Sequence, residues 1–567
     1  MSSKEQKKLQ EDYELVQRAK AIIGGGIVLL GLLAAVEIYS NWDYINRKVL
    51  GVKYEIGSID EVYENIKERK ERKKDQIDKK NYNITNSNDS NFQGVYICGN
   101  NENGICDPEH KDKSTKSQPI FKRLDIFDGL FVKDLYLGPK SACLIDSKGD
   151  LYQWGDGFNG DSKTPTLKNK KLTHAEISNG VIYALTEKGE ILYLPENHDD
   201  QLKATKKVKK FWGLKTETQN FEKLVFPDGF KNLRVKDFST GDEHLVLLTN
   251  DKSVFTCATG NDSTGELSKS NGQFGLPNFS QFDTPPKPNE LYEVGLLNKF
   301  RENNEIFKRD IVKVAAGDFF TLCLDNLGYV WAFGKNTYGA LGRDINYNTE
   351  IIPYPMKIDL INHRFNKNEF PQCIDIVTGN GSGSAYATYI SNNIYQLFEK
   401  SLKENKKDIK LDQLSKSQQD SLTYFSWGHG LKGELGLGHY IHGQPEPKII
   451  KTLNNITEYN DETKKIEATP IKSWSVGRNH VFVTLRNNDV YGWGDNEFGQ
   501  LGNGKKAKLS SPSTIPALLE PTTTSEEIDR KKKTTDLNDR LQLTNKNEYE
   551  QVIVAGSDTT AIYYKKH

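Results

Sequence analysis

The stretch VYGWGDNEFGQLGNG, residues 490–504, decides how the rest of the chain is read. Val490, Tyr491 and Trp493 favour a strand, and the glycines at 494, 499, 502 and 504 call for sharp turns. The pattern of two apolar residues, a variable one and an apolar one recurs, with Gly in fifth place in five of its copies. Its copies are VYICG (95–99), LYQWG (151–155), ILYLP (191–195), VFTCA (254–258), VWAFG (330–334), YFSWG (424–428) and VYGWG (490–494), seven in all. The fourth column reads Cys98, Trp154, Leu194, Cys257, Phe333, Trp427 and Trp493, always apolar. Cys98 and Cys257 therefore read as core residues at a packing position.

Upstream of most copies lies a second unit, a Gly followed by an apolar strand, at 135–152, 238–255, 314–331 and 474–491. Cys143 and Cys323 are expected to share one buried column of it. The ends of the array give the count. The first copy lacks this upstream unit, while VIVAGSDTTAIYY (552–564) is that unit with no copy after it. Half a blade at each end is how a propeller closes its ring and removes free edges. Short repeated strands that cannot bury their own faces demand radial stacking. The expected fold is all-β, a seven-bladed propeller with a split closing blade over residues 94–567.

These residues resemble the regulator-of-chromosome-condensation repeat family, whose signature is similar to G-x-x-H-x-x-x-L followed by G-x-V-Y-x-W-G-x-N-x-x-G-Q-L-G. The founding member is a nuclear guanine-nucleotide exchange factor. That activity is not carried over, because the motif builds blades and fold does not fix function. A propeller behind one N-terminal anchor resembles the fungal mitochondrial inner-membrane members, associated with assembly of respiratory complex III, the cytochrome bc1 complex. The resemblance implies a single-pass protein of the mitochondrial inner membrane.

Composition narrows the function classes. Lys plus Arg and Asp plus Glu number 77 each, so the formal net charge is zero. That argues against nucleic acid as a partner of the whole molecule. None of the six cysteines forms a C-x-x-C pair, so zinc-knuckle spacing is absent. P-loop, nucleophile-elbow, H-E-x-x-H and EF-hand patterns are absent too. No catalytic residue, cofactor site or metal site is assigned. His244 and His480 occupy the G-x-x-H position, where other copies hold Ser141, Phe320 and Thr559. A residue repeated in separate blades reads as a tie between them rather than a catalyst.

The N-terminal part breaks the pattern. Residues 1–20 are polar, with four acids and one Arg, unlike an Arg-rich presequence. Either the anchor itself is the targeting signal or the protein begins further upstream. AIIGGGIVLLGLLAAV, residues 21–36, has no charge. With Tyr39 and Trp42 the stretch 21–42 approaches the length that spans a bilayer of ~30 Å. It is expected to be a transmembrane helix and the contact with lipid. Residues 43–93 form a charged and polar linker, partly helical, with eight basic and four acidic residues in IKERKERKKDQIDKK (66–80). Glu68 and Arg72 have the spacing of a helical ion pair.

Long insertions are expected near 196–230, 278–309, 343–371, 439–470 and 505–550 between blades, and at 399–422 inside blade 6. In a four-stranded meander the second-to-third turn and the blade-to-blade connection leave from one end. Almost all the extra chain is thus expected on a single face, where binding would reside. The expected function is a non-enzymatic, membrane-anchored interaction platform, an assembly factor whose partners are respiratory-complex subunits or other assembly factors. The alternatives are an exchange factor for a mitochondrial GTPase and a factor associated with the mitochondrial ribosome.

Overall fold

The computed structural model describes residues 93–109, 116–210, 215–260, 270–284, 286–359, 364–365, 369–393, 422–460, 464–518 and 540–567. The expected membrane segment 21–42, the 66–80 run and nearly all of the 399–422 insertion lie outside them. Among the described residues no helix is long and apolar enough to cross a membrane.

Seven antiparallel sheets follow one another along the chain. The motif copies are their third strands, from Val95–Asn100 in blade 1 to Val490–Gly494 in blade 7. Six sheets have four strands; that of blade 2 has three, with an isolated bridge from Leu151 to Leu167 in the fourth position. Blade 1 closes the ring as the sequence implied. Tyr549–Ala555 and Thr559–Lys566 supply its first two strands, and Val95–Asn100 and Ser117–Arg123 the last two. Tyr96 lies opposite Ile562 and Cys98 opposite Thr560.

The core is divided among the seven blade interfaces. Each hydrophobic cluster joins two consecutive blades, the last pairing blade 7 with blade 1. The second strands, such as His244–Thr249 and His480–Leu485, are therefore buried along their whole length. A strand covered on both faces needs an unbroken apolar run rather than alternation.

The opening motif explains itself in this frame. The side chain of the fourth column packs on the preceding blade. Trp154, Trp427 and Trp493 donate Nε1–H to Ile105 O, Ala340 O and Glu434 O at 2.9, 2.8 and 2.6 Å. Those carbonyls occupy the same place in the connection after the third strand of blades 1, 5 and 6. At the ring closure Cys98 Sγ meets the matching carbonyl of blade 7, Gln500 O, at 3.6 Å. A thiol thus stands in for an indole. Gly494 has φ +104°, and a Cβ there would lie 2.4 Å from Asn479 O. Only glycine fits both demands.

Two expectations need correction. Cys143 and Cys323 are both buried, but they do not share a column. Cys143 lies opposite Gln153, one step beyond the Trp154 pair, whereas Cys323 lies two steps beyond the Phe333 pair. Cys143 therefore packs toward blade 3 and Cys323 toward blade 4. The extra chain is also not confined to one face. Residues 196–221 and 259–291 join third to fourth strands within blades 3 and 4, and so leave from the opposite end to the blade-to-blade connections. The fourth strands there, Glu222–Lys223 and Tyr292–Glu293, are two residues long and leave no sequence pattern.

Candidate functional site

The two motif histidines are ties, as their repetition suggested. His244 Nε2 meets Thr321 Oγ1 of blade 5 at 2.9 Å, and His480 Nε2 meets Thr560 Oγ1 of blade 1 at 2.8 Å. Both rings are fully buried. Burial pulls their pKa values down to about 3 and about 4, so both are neutral and act through hydrogen bonding alone.

The first strands face the axis and carry a ring of charges. In blades 2 to 7 the pairing of the first strand with the second slips once, after the first pair in five blades and between Cys373 and Asp375 in blade 6, a bulge that re-aims the next side chain. The residues so placed in blades 2 to 6 are Asp134, His174, Asp237, Lys313 and Asp375, which alternate in sign. His174 Nδ1 lies 2.9 Å from Asp134 Oδ2, and Lys313 Nζ lies 2.5 Å from Asp375 Oδ1. Burial works against charge on His174, but the carboxylates of Asp134 and Glu176 outweigh it and hold the ring well above its usual pKa. Glu176 in turn accepts from Thr240 N and Oγ1 at 2.6 and 2.7 Å. These side chains satisfy one another across blade boundaries. They hold no nucleophile set against a base.

At one end of the axis the turns between first and second strands join into a hoop. Asp242 N donates to Asp318 O, Asp318 N to Ser382 O, Arg478 N to Gly556 O and Ser557 N to Leu137 O, at 2.8–3.1 Å. Asn380 reaches across from blade 6 to Thr240 Oγ1 at 2.8 Å and Ile177 O at 3.3 Å. A Cβ on Gly477 would lie 2.2 Å from Gly556 O, so the close approach of neighbouring turns requires the motif glycine.

No group of three or more His, Cys, Asp or Glu among the described residues is arranged to hold a metal ion. The thiols are buried, and burial pushes all six pKa values up, away from the reactive thiolate.

What remains for recognition is the chain outside the blades. Among the described residues three two-stranded hairpins belong to no blade: Lys206–Lys210 with Lys215–Gln219, Lys299–Glu302 with Glu305–Lys308, and Thr457–Asn460 with Lys465–Ala468. In the second, all eight strand residues are exposed. Its turn, Asn303-Asn304, has φ of +48° and +68°, the signs of a tight hairpin turn in which asparagine is favoured. Phe300 stacks on Phe307 at 5.7 Å, and Ile306 is 74% exposed. Arg309 covers the base, 4.0 Å over the Trp331 ring. In the third hairpin Tyr459 and Ile466 lie opposite each other and are exposed. The second and third hairpins both lie in blade-to-blade connections and so leave from the same end of the ring. The sequence signal that could have found the second is its Asn303-Asn304 turn between Phe300 and Ile306-Phe307.

Models of the regulator of chromosome condensation repeat match residues 311–340, 471–500 and 487–524. "Protein FMP25, mitochondrial" of Saccharomyces cerevisiae is 33% identical over 462 residues, 78% of this chain and 70% of that protein. The chain belongs to the regulator of chromosome condensation repeat family. Another relative, "Guanine nucleotide exchange factor SRM1" of the same yeast, is 24% identical over 266 residues, covering 39% of this chain and 52% of that protein. Among solved structures, human WBSCR16 superposes with a TM-score of 0.50 at 16% identity, covering 84% of this chain and 99% of that one. That likeness concerns the fold.

Proposed function

We propose that this propeller is a non-enzymatic protein-interaction platform of mitochondria, held at the inner membrane by residues 21–42 and acting in assembly of the cytochrome bc1 complex. The observation that carries the platform reading is the exposed hairpin pair at 299–308 and 457–468, which projects apolar side chains from one end of a ring sealed without them. Isolated hairpins are marginal in water, and exposed Ile and Phe on them suit coverage by a partner. The mitochondrial name of the 33% identical yeast relative supports the compartment. The uncharged run at 21–36 supports the anchor.

Affinity purification from gently solubilised mitochondria tests this. Respiratory-complex subunits are expected in the eluate, and their loss on deletion of either hairpin. An eluate of ribosomal proteins alone would overturn the assignment. The exchange-factor reading is favoured by the match to SRM1 and predicts co-purification of a GTPase and faster release of its bound nucleotide. Alkaline carbonate extraction tests the anchor separately, and release of the full chain to the supernatant would refute it.

A further inference from the structure

We propose that the hairpin of blade 3, Lys206–Lys210 paired with Lys215–Gln219, docks on an anionic phospholipid surface. This deepens the bilayer-anchored reading and rests on it. The two strands lie between the third and fourth strands of the blade and belong to no blade's sheet. From Lys203 to Gln219 the chain carries six lysines and one acidic residue, Glu217, within a protein of zero net charge. Lys203 is held by Asp200 and Lys206 by Glu222, at 2.8 and 2.5 Å. The remaining four lie along one ladder of five residue pairs, whose register sets Lys210 opposite Lys215. Like charges facing each other across a pair destabilise it, and a two-stranded ribbon has little to spare. A surface of negative headgroups relieves that repulsion and gains from it.

The chemistry favours lipid over nucleic acid. Lysine is a compact point charge suited to a diffuse anionic layer, whereas phosphate forks and base stacking call on arginine, which the hairpin lacks.

Each lysine within a Debye length of such a surface strengthens partitioning by roughly fivefold. The test uses residues 93–567, which supply every strand of the seven blades and lie within one compact unit. This protein should float with phosphatidylcholine vesicles containing cardiolipin, should not float with phosphatidylcholine alone, and should be released by high salt. Replacing Lys207, Lys209, Lys210 and Lys215 together by Gln leaves the two ion pairs intact. It should weaken flotation by at least about tenfold while melting is unchanged. No flotation of the parent, equal flotation with neutral vesicles, or full flotation of the variant would overturn the proposal. So would tighter binding to poly(U) than to the vesicles, which would make the hairpin a nucleic-acid site. Because residues 21–42 are missing from this protein, the outcome is read independently of the carbonate extraction of the full chain.

Discussion

Replacing Trp493 by Ala should destabilise the ring as a whole. The indole is fully buried between blades 6 and 7, edge-on to Trp474 at 6.3 Å, with its N–H on Glu434 O at 2.6 Å. Truncating a buried Trp to Ala typically costs ~3–5 kcal/mol through lost transfer energy and the cavity left behind. An orphaned acceptor adds little, because Glu434 O also accepts from Tyr386 Oη at 2.7 Å. For a ring of roughly 470 residues melting as one unit, the unfolding entropy is about 1 kcal/mol per kelvin, so the loss corresponds to about 3–5 °C. Trp493→Phe keeps most of the packing and should cost about 1.5 kcal/mol or less. Ile306→Ala, on an exposed hairpin, should stay within about 0.5 kcal/mol. Calorimetry of residues 93–567 and its three variants decides the matter. An unchanged melting temperature for Trp493→Ala would mean that the fourth motif column does not carry the blade interface.

Ending the chain after Glu548 removes Thr559–Lys566, which pairs with Val95–Asn100, together with Tyr549–Ala555 beside it, and opens the ring, so size-exclusion chromatography should show aggregates; a soluble monomer would contradict the closure. Gly494→Ala forces a side chain to φ +104° with its Cβ 2.4 Å from a backbone oxygen, and should cost on the order of 2 kcal/mol or more in urea unfolding. His480 has a folded pKa of about 4, below its unfolded value, so the unfolded state takes up the proton first. Its contribution to stability is whole above pH ~6.5 and is lost as pH falls toward about 4, on the order of 3 kcal/mol at most. His480→Gln should flatten that acid limb relative to the parent, and parallel pH profiles would show that the ring titrates normally.

The sequence disclosed the ring because its interface residues are periodic. The Trp column, the glycine after it and the halves of blade 1 recur at fixed offsets within a repeat. The axial ring from Asp134 to Asp375 was not legible. Its members sit just past a bulge in each first strand, and connections of unequal length keep those strands from being superposed by eye. The misplacement of Cys143 and Cys323 has a related cause. Strand side chains alternate with period two, so a slip of one residue moves a side chain to the other face of the blade. The two-residue fourth strands at 222 and 292 carry no period, so the third-to-fourth connections merged with those between blades. That merger hid the fact that insertions leave from both ends.

The contacts that seal the ring and the chain offered to partners do not overlap. The seals are the His–Thr ties, the indole-to-carbonyl bonds, the hoop of turns and the axial ring, all inside the blades or at the axis. The hairpins at 299–308 and 457–468 contribute to none of them. Stability and recognition should therefore separate under mutation. Excising Phe300–Phe307 while keeping Lys308, which pairs with Asp251, and Arg309 on Trp331 should leave the melting temperature within about 1 °C of the parent. Partner capture should fall at the same time. If the excision instead melts the ring as Trp493→Ala does, the hairpin is part of the blade 4–5 interface, and its exposed Phe and Ile side chains lose their standing as a recognition surface.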